Sequence, residues 1–117
     1  MFTACGNSEP SLVGRWEVAG ASMAGNISQA ELMELQEAIA IGSFVATYEF
    51  FEDGRLSVFV SVENMGSQSD WYSWSSDNGI LWIHENNGVR DMSYRFSGSE
   101  LIIREPNGPY FYLQRVS

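Results

Sequence analysis

From residue 44 onward, apolar and polar residues alternate in short runs broken by clusters of Gly, Asn, Asp and Ser. A period of two puts successive side chains on opposite faces, so each run predicts a strand with one face on a core. In "RLSVFVSV", Leu56, Val58, Val60 and Val62 oppose Arg55, Ser57 and Ser61; in "VATYEFF", Ala46, Tyr48 and Phe50 oppose Thr47 and Glu49. The same phasing turns Leu81 and Ile83, Met92, Tyr94 and Phe96, Leu101 and Ile103, and Phe111 and Leu113 inward, with Arg115 on the face of the last pair. In "DWYSWSS" it selects Tyr72 and Trp74 as inward and sets Asp70 and Trp71 out of register with them. Strands are expected near residues 12–18, 45–51, 55–62, 69–75, 79–84, 89–96, 100–105 and 110–116. The turn signals between them are "EDG", "NMGSQ", "SSDNG", "ENNG", "SGS" and "PNGP", and three of these hold Asn-Gly, a pair that tolerates the positive φ of tight hairpins. Eight strands in meander order predict an all-β, antiparallel, up-and-down barrel, because closure removes exposed edges; a two-sheet sandwich is the alternative.

One segment carries a different period. Leu32, Leu35 and Ile39 recur at helical spacing, with Met33 and Ala38 beside them and Glu31, Glu34 and Glu37 elsewhere. Ser28 and Glu31 form a capping box, Ile27 and Leu32 a hydrophobic staple, and Gly42 a stop. One amphipathic helix over about residues 29–41 therefore lies between strands one and two. "NIS" at 26–28 also matches a glycosylation sequon, but the serine is better used as the helix cap.

At 117 residues the chain makes one domain able to bury roughly two thirds of its surface without staples. Residues 1–10 read as a small polar tether and 11–117 as the barrel domain. The net charge of -9 comes from 15 acidic residues against 6 arginines, with no lysine. That balance argues against nucleic acid, whose phosphates need clustered cations, and favours small cationic or neutral partners. No run reaches the ~18 apolar residues of a spanning helix.

The chemistry for catalysis is thin. His84 is the only histidine, and on a strand its neighbour Glu85 points to the opposite side. Without lysine, and with one cysteine near the N-terminus, no nucleophile–base pair can be assembled by spacing. Nothing matches a phosphate loop or a zinc motif, so no catalytic residue, metal or cofactor is expected. Binding is the better expectation. Tyr48, Phe50, Val58, Val60, Tyr72, Trp74, Met92 and Tyr94 would make an apolar wall with a few polar tips around one small hydrophobic ligand. In the alternative, these residues fill the barrel, and it acts as a protein-interaction or envelope-structural module through an outer aromatic patch of Phe59, Trp71 and Trp82.

Two stretches carry a resemblance. "LVGRWEV", with Gly14 two residues before Trp16, and a closing "YLQRV" with Arg115 resemble the lipocalin and calycin barrels. With "YEFFEDGRLSV" and "SGSELIIRE", the layout over most of residues 11–117 is similar to the small lipocalin-like domains of bacterial lipoproteins. The resemblance implies that Trp16 plugs one end of the barrel and that Arg115 packs across it. "FTACGNSEP" resembles a lipobox, with Phe2 where leucine is usual, which implies lipidation of Cys5 and an extracytoplasmic, membrane-tethered domain if a signal segment lies upstream. A free thiol is the plain alternative. The chain departs from longer lipocalins in having no disulfide and a full helix after the first strand. Arg95, on the outward face, does not reproduce the arginine–tyrosine pattern of intracellular fatty-acid binders.

Overall fold

The computed structural model of the chain describes residues 11–22, 28–104 and 108–116. Eight strands form one closed antiparallel barrel in which each strand pairs with its sequence neighbours and the last pairs with the first. They are β1 (Gly14–Ser22), β2 (Phe44–Phe50), β3 (Arg55–Val62), β4 (Gly66–Asp77), β5 (Ile80–Glu85), β6 (Gly88–Ser97), β7 (Glu100–Arg104) and β8 (Tyr110–Val116), with one helix, α1 (Gln29–Ile41), between β1 and β2. The up-and-down barrel expected from the alternation is the observed fold, and the sandwich is not.

Two boundaries differ most from the sequence reading. β1 runs on to Ser22, through residues expected to be loop. Its register against β8 shifts between Val18 and Gly20, an irregularity that takes Ala19 out of the alternation. Trp16 and Val18 before the shift, and Ala21 after it, are therefore all buried. β4 begins at Gly66, so the turn after β3 occupies residues 63–65 and "GSQ" is strand.

α1 begins as expected. The Glu31 backbone N–H donates to Ser28 Oγ at 3.1 Å, and the Ser28 N–H donates to Glu31 Oε1 at 3.3 Å. It ends where Gly42 turns left-handed (φ 81°) and the Ser43 N–H reaches Ala38 O at 3.0 Å. The helix packs on β1 and β2, burying Leu32 and half-burying Leu35, Ala38 and Ile39. Gln36 Nε2 donates to Ala21 O at 2.8 Å, tying it to β1. Met33 and Ile41 stay in solvent, so the apolar stripe is narrower than the spacing implied. Ile27 of the expected staple and Asn26 of the sequon lie outside the described residues, as do Cys5, the 1–10 tether and Glu105 of the seventh run.

One end of the barrel is closed by Trp16, which is 2% exposed. Its indole N–H donates to Leu12 O at 2.9 Å, so the only polar atom of the ring is satisfied inside. Phe96 packs at 6.0 Å. The Arg115 guanidinium lies 4.2 Å from the indole centroid, and it donates to Val13 O and Ser11 O, each at 2.9 Å. Such a cation–π contact at an exposed site contributes about 0.5–1 kcal/mol, and the two hydrogen bonds bind β8 to the segment entering β1. Gly14 is required twice over. Its φ is 132°, a region closed to side chains, and a Cβ there would overlap the Arg115 guanidinium.

Gly14→Ala should therefore cost about 2 kcal/mol or more, from backbone strain and displacement of Arg115. Urea unfolding of the two proteins measures it; a loss below about 0.5 kcal/mol would mean that the arginine relocates freely.

Candidate functional site

The barrel interior is not uniform. Toward Trp16 it is solid: Leu56, Leu81, Ile83, Leu101 and Leu113 have no exposed surface, and Phe50 and Met92 are buried among them. Trp74 closes over Phe50 edge-on at 5.1 Å, and its Nε1 donates to Phe51 O at 3.1 Å. The β3–β4 turn lies at the other end, since strands alternate in direction and Trp16 opposes Tyr48 near the close of β2.

There the inner faces of β3 and β4 enclose a cavity of about 420 Å³, whose wall includes Val58, Val60, Val62 and Tyr72, with Met65, Gln68 and Asp70 at its rim. Register explains the composition. Val58 stands opposite Asp70, Val60 opposite Gln68 and Leu56 opposite Tyr72, so the valine face of β3 looks onto alternate residues of β4. Gln68 Nε2 donates to Asp70 Oδ2 at 2.8 Å, which fixes the carboxylate. β5 pairs with β4 only from Ser73 to Asp77, so residues 66–72 of β4 bond to β3 alone. This half of the hairpin stands clear of the wall and leaves the cavity open to solvent.

The eight residues predicted to face a ligand all face inward, but they divide. Val58, Val60 and Tyr72 line the cavity. Phe50 and Met92 belong to the solid half. Tyr48 stacks on Phe50 at 6.5 Å, Trp74 bonds to the β2–β3 turn, and Tyr94 meets Phe96 at 6.0 Å. The assignment of Asp70 is corrected: in a regular strand it shares the face of Tyr72 and Trp74, and it enters the cavity wall. Val62, read as inward on the third strand, was left out of the ligand wall; Gln68 was missed because the fourth strand was started too late, and Met65 lies in the turn before it. The signal was there: "QSDWY" continues the Tyr72 phase back through Asp70 to Gln68.

The outer patch also needs correction. Trp71 is 58% exposed and Phe59 37%, but Trp82 is half-buried opposite Ser75, further along β4 and apart from them. Trp71 stacks instead on Phe51, centroids 5.6 Å apart, with the Arg55 guanidinium 5.4 Å from one ring and 5.5 Å from the other. Elsewhere on the wall, His84 lies 3.4 Å from Ser75 Oγ, Arg90 pairs with Glu85 at 3.1 Å, and Arg15 with Glu49 at 3.6 Å. Arg104 lies over Tyr110 with its Nε buried and unpartnered, on the same outer face as Arg95. No three His, Cys, Asp or Glu side chains converge among the described residues.

Fold and site together define a closed up-and-down β-barrel, plugged at one end by Trp16 and carrying an open cavity on its β3–β4 hairpin toward the other. No protein-family model, curated protein or solved structure matches the chain.

Asp53, in the β2–β3 turn, is an ionisable group with a shifted pKa. The Arg55 backbone N–H, donating at 3.1 Å, holds the Asp53 carboxyl below its usual range; slight desolvation opposes this, and the Arg55 guanidinium at 2.8 Å reinforces it. A depressed carboxyl stabilises the fold above its unfolded-state value and loses that contribution as pH falls through its folded-state value. Wild type should therefore be more stable than Asp53→Asn above about pH 4, with the gap closing on acidification. Urea midpoints across that range measure it; a gap unchanged by pH would remove Asp53 as the cause.

Proposed function

We propose that the domain is a lipocalin-like binding protein that holds one small hydrophobic molecule at the open end of its barrel. The observation that carries this reading is the 420 Å³ cavity on the β3–β4 hairpin, where Val58, Val60, Val62 and Tyr72 line space beyond the solid core around Trp16. Its size falls within the roughly 300–1,000 Å³ of small-molecule sites, and an apolar wall with few polar groups is their usual lining. Kinship with lipocalins is supported by barrel closure together with the Gly14, Trp16 and Arg115 arrangement. Function as a binder rather than a catalyst fits a lining that holds no histidine to activate the hydroxyls of Ser67 or Tyr72.

Binding is tested with an uncharged hydrophobic fluorescent probe titrated into the full chain. A saturable, one-to-one enhancement is expected, and Val60→Trp, which fills the cavity, should weaken it about tenfold or more. Undiminished binding by Val60→Trp would locate the probe elsewhere.

A second reading, protein interaction through the outer wall, is favoured by the exposure of Trp71 beside Phe51 and Arg55. Trp71→Ser separates the two: it leaves probe binding unchanged if the cavity is the site, and alters self-association or partner capture if the wall is.

The extracytoplasmic, lipid-anchored location rests on the lipobox-like "FTACGNSEP" around Cys5. Mass spectrometry of the natural product should find Cys5 acylated at a new N-terminus; an unmodified Cys5 with Met1 retained would remove the anchor.

A further inference from the structure

We propose that the cavity selects ligands whose apolar body ends in a cation, such as a primary ammonium, with Asp70 as the counter-charge. The proposal rests on the reading of the barrel as a binder and adds the chemical class of what it binds.

Asp70 is the only ionisable carboxylate in the cavity lining, and no arginine shares that lining. Three of the six arginines pair with other carboxylates: Arg15 with Glu49, Arg55 with Asp53 and Arg90 with Glu85. Arg115 lies over Trp16 at the plugged end, and Arg95 and Arg104 line a separate depression on the outer wall. Among the described residues, no ion pair therefore neutralises Asp70. The Gln68 amide, donating to Oδ2, orients the carboxylate without cancelling its charge.

The surroundings raise the value of that charge. Val58 faces Asp70 across the hairpin, and the residue is partly buried, so water and salt screen it less than a fully exposed carboxylate. An ammonium at the rim gains a charge-assisted hydrogen bond while its apolar body lies along the valines. A ligand carboxylate at the same place meets a like charge with no donor to offset it. The chain's net charge of -9 adds a field of the same sign. A neutral hydroxyl donates a hydrogen bond to the carboxylate but brings no net charge for it to attract or repel.

Competition among ligands matched in their apolar part isolates this effect. Dodecylamine, dodecanol and dodecanoic acid, each below its micellar range and near neutral pH, are used to displace the uncharged probe from the full chain. The amine should displace it at about a tenfold lower concentration than the acid, with the alcohol between. Asp70→Asn should bring the three within about twofold of one another by weakening the amine and strengthening the acid, and added salt should narrow the wild-type gap. Equal displacement by amine and acid in the wild type overturns the proposal and leaves the barrel a binder. A gap that survives in Asp70→Asn overturns it too, because its source is then another group. Failure of the probe and all three competitors to bind overturns the binding reading itself.

Discussion

Every other feature of this barrel depends on the seating of Arg115 across Trp16. A sheet closes only when its first and last strands meet, and here β1 and β8 meet over Arg15–Ser22. At the start of that seam, one guanidinium covers the plug and reaches back to two carbonyls of the entering segment. The indole in turn fixes Leu12 through its N–H. Residues far apart in the chain are thereby joined at the one place where the fold must return on itself. Gly14 is the condition for this, since the space a side chain would occupy holds the arginine.

With that end anchored, strand length determines what the other end can be. β4 has 12 residues and β5 has 6, so the wall cannot be continuous along β4. Its C-terminal half joins β5 and seals the solid core; its N-terminal half follows β3 out beyond the rim. The unpaired edge so created reads Gly-Ser-Gln-Ser-Asp, small and polar, a composition that discourages edge-to-edge association. The helix meets a related need elsewhere. It lies against β1 and β2, where β1 beyond Glu17 pairs with β8 alone and the first residues of β2 pair with β3 alone.

Much of this was legible in the sequence because the fold obeys alternation. The strand runs and the capping box at Ser28 and Glu31 depend on a local period or a few side chains, the contact of Arg115 with Trp16 was implied by a resemblance, and each is seen in the structure. The losses occurred where the local rule fails. Ala19 breaks the period of β1 at a register shift, and the small residues after it look like a loop. Gly66 and Ser67 look like a turn, and only pairing with Ser61 and Val62 makes them strand. Which inward residues fill the core and which line a cavity depends on where β5 stops relative to β4. No periodicity within a single strand carries that information, so Phe50 and Met92 could not be separated from Val58 and Val60.

The sequence Asp70-Trp71-Tyr72 runs against the rule that the rest of the chain follows. Here the carboxylate faces the interior and the large indole faces water. Protection of the free edge does not explain it, because a charge on either face of β4 would serve that purpose. Solubility does not explain it either, since exchanging the two residues would hide the tryptophan and expose the acid. Nor does structural pairing, because the one side-chain bond to Asp70 comes from Gln68 on the same strand and holds no other element in place. Natural chains tend to violate hydrophobic patterning where function requires it, and compensate elsewhere. The compensation here is partial: Trp71, 58% exposed, lays one face against Phe51 and the Arg55 guanidinium on the outer wall, while Asp70 keeps its charge on the inner face.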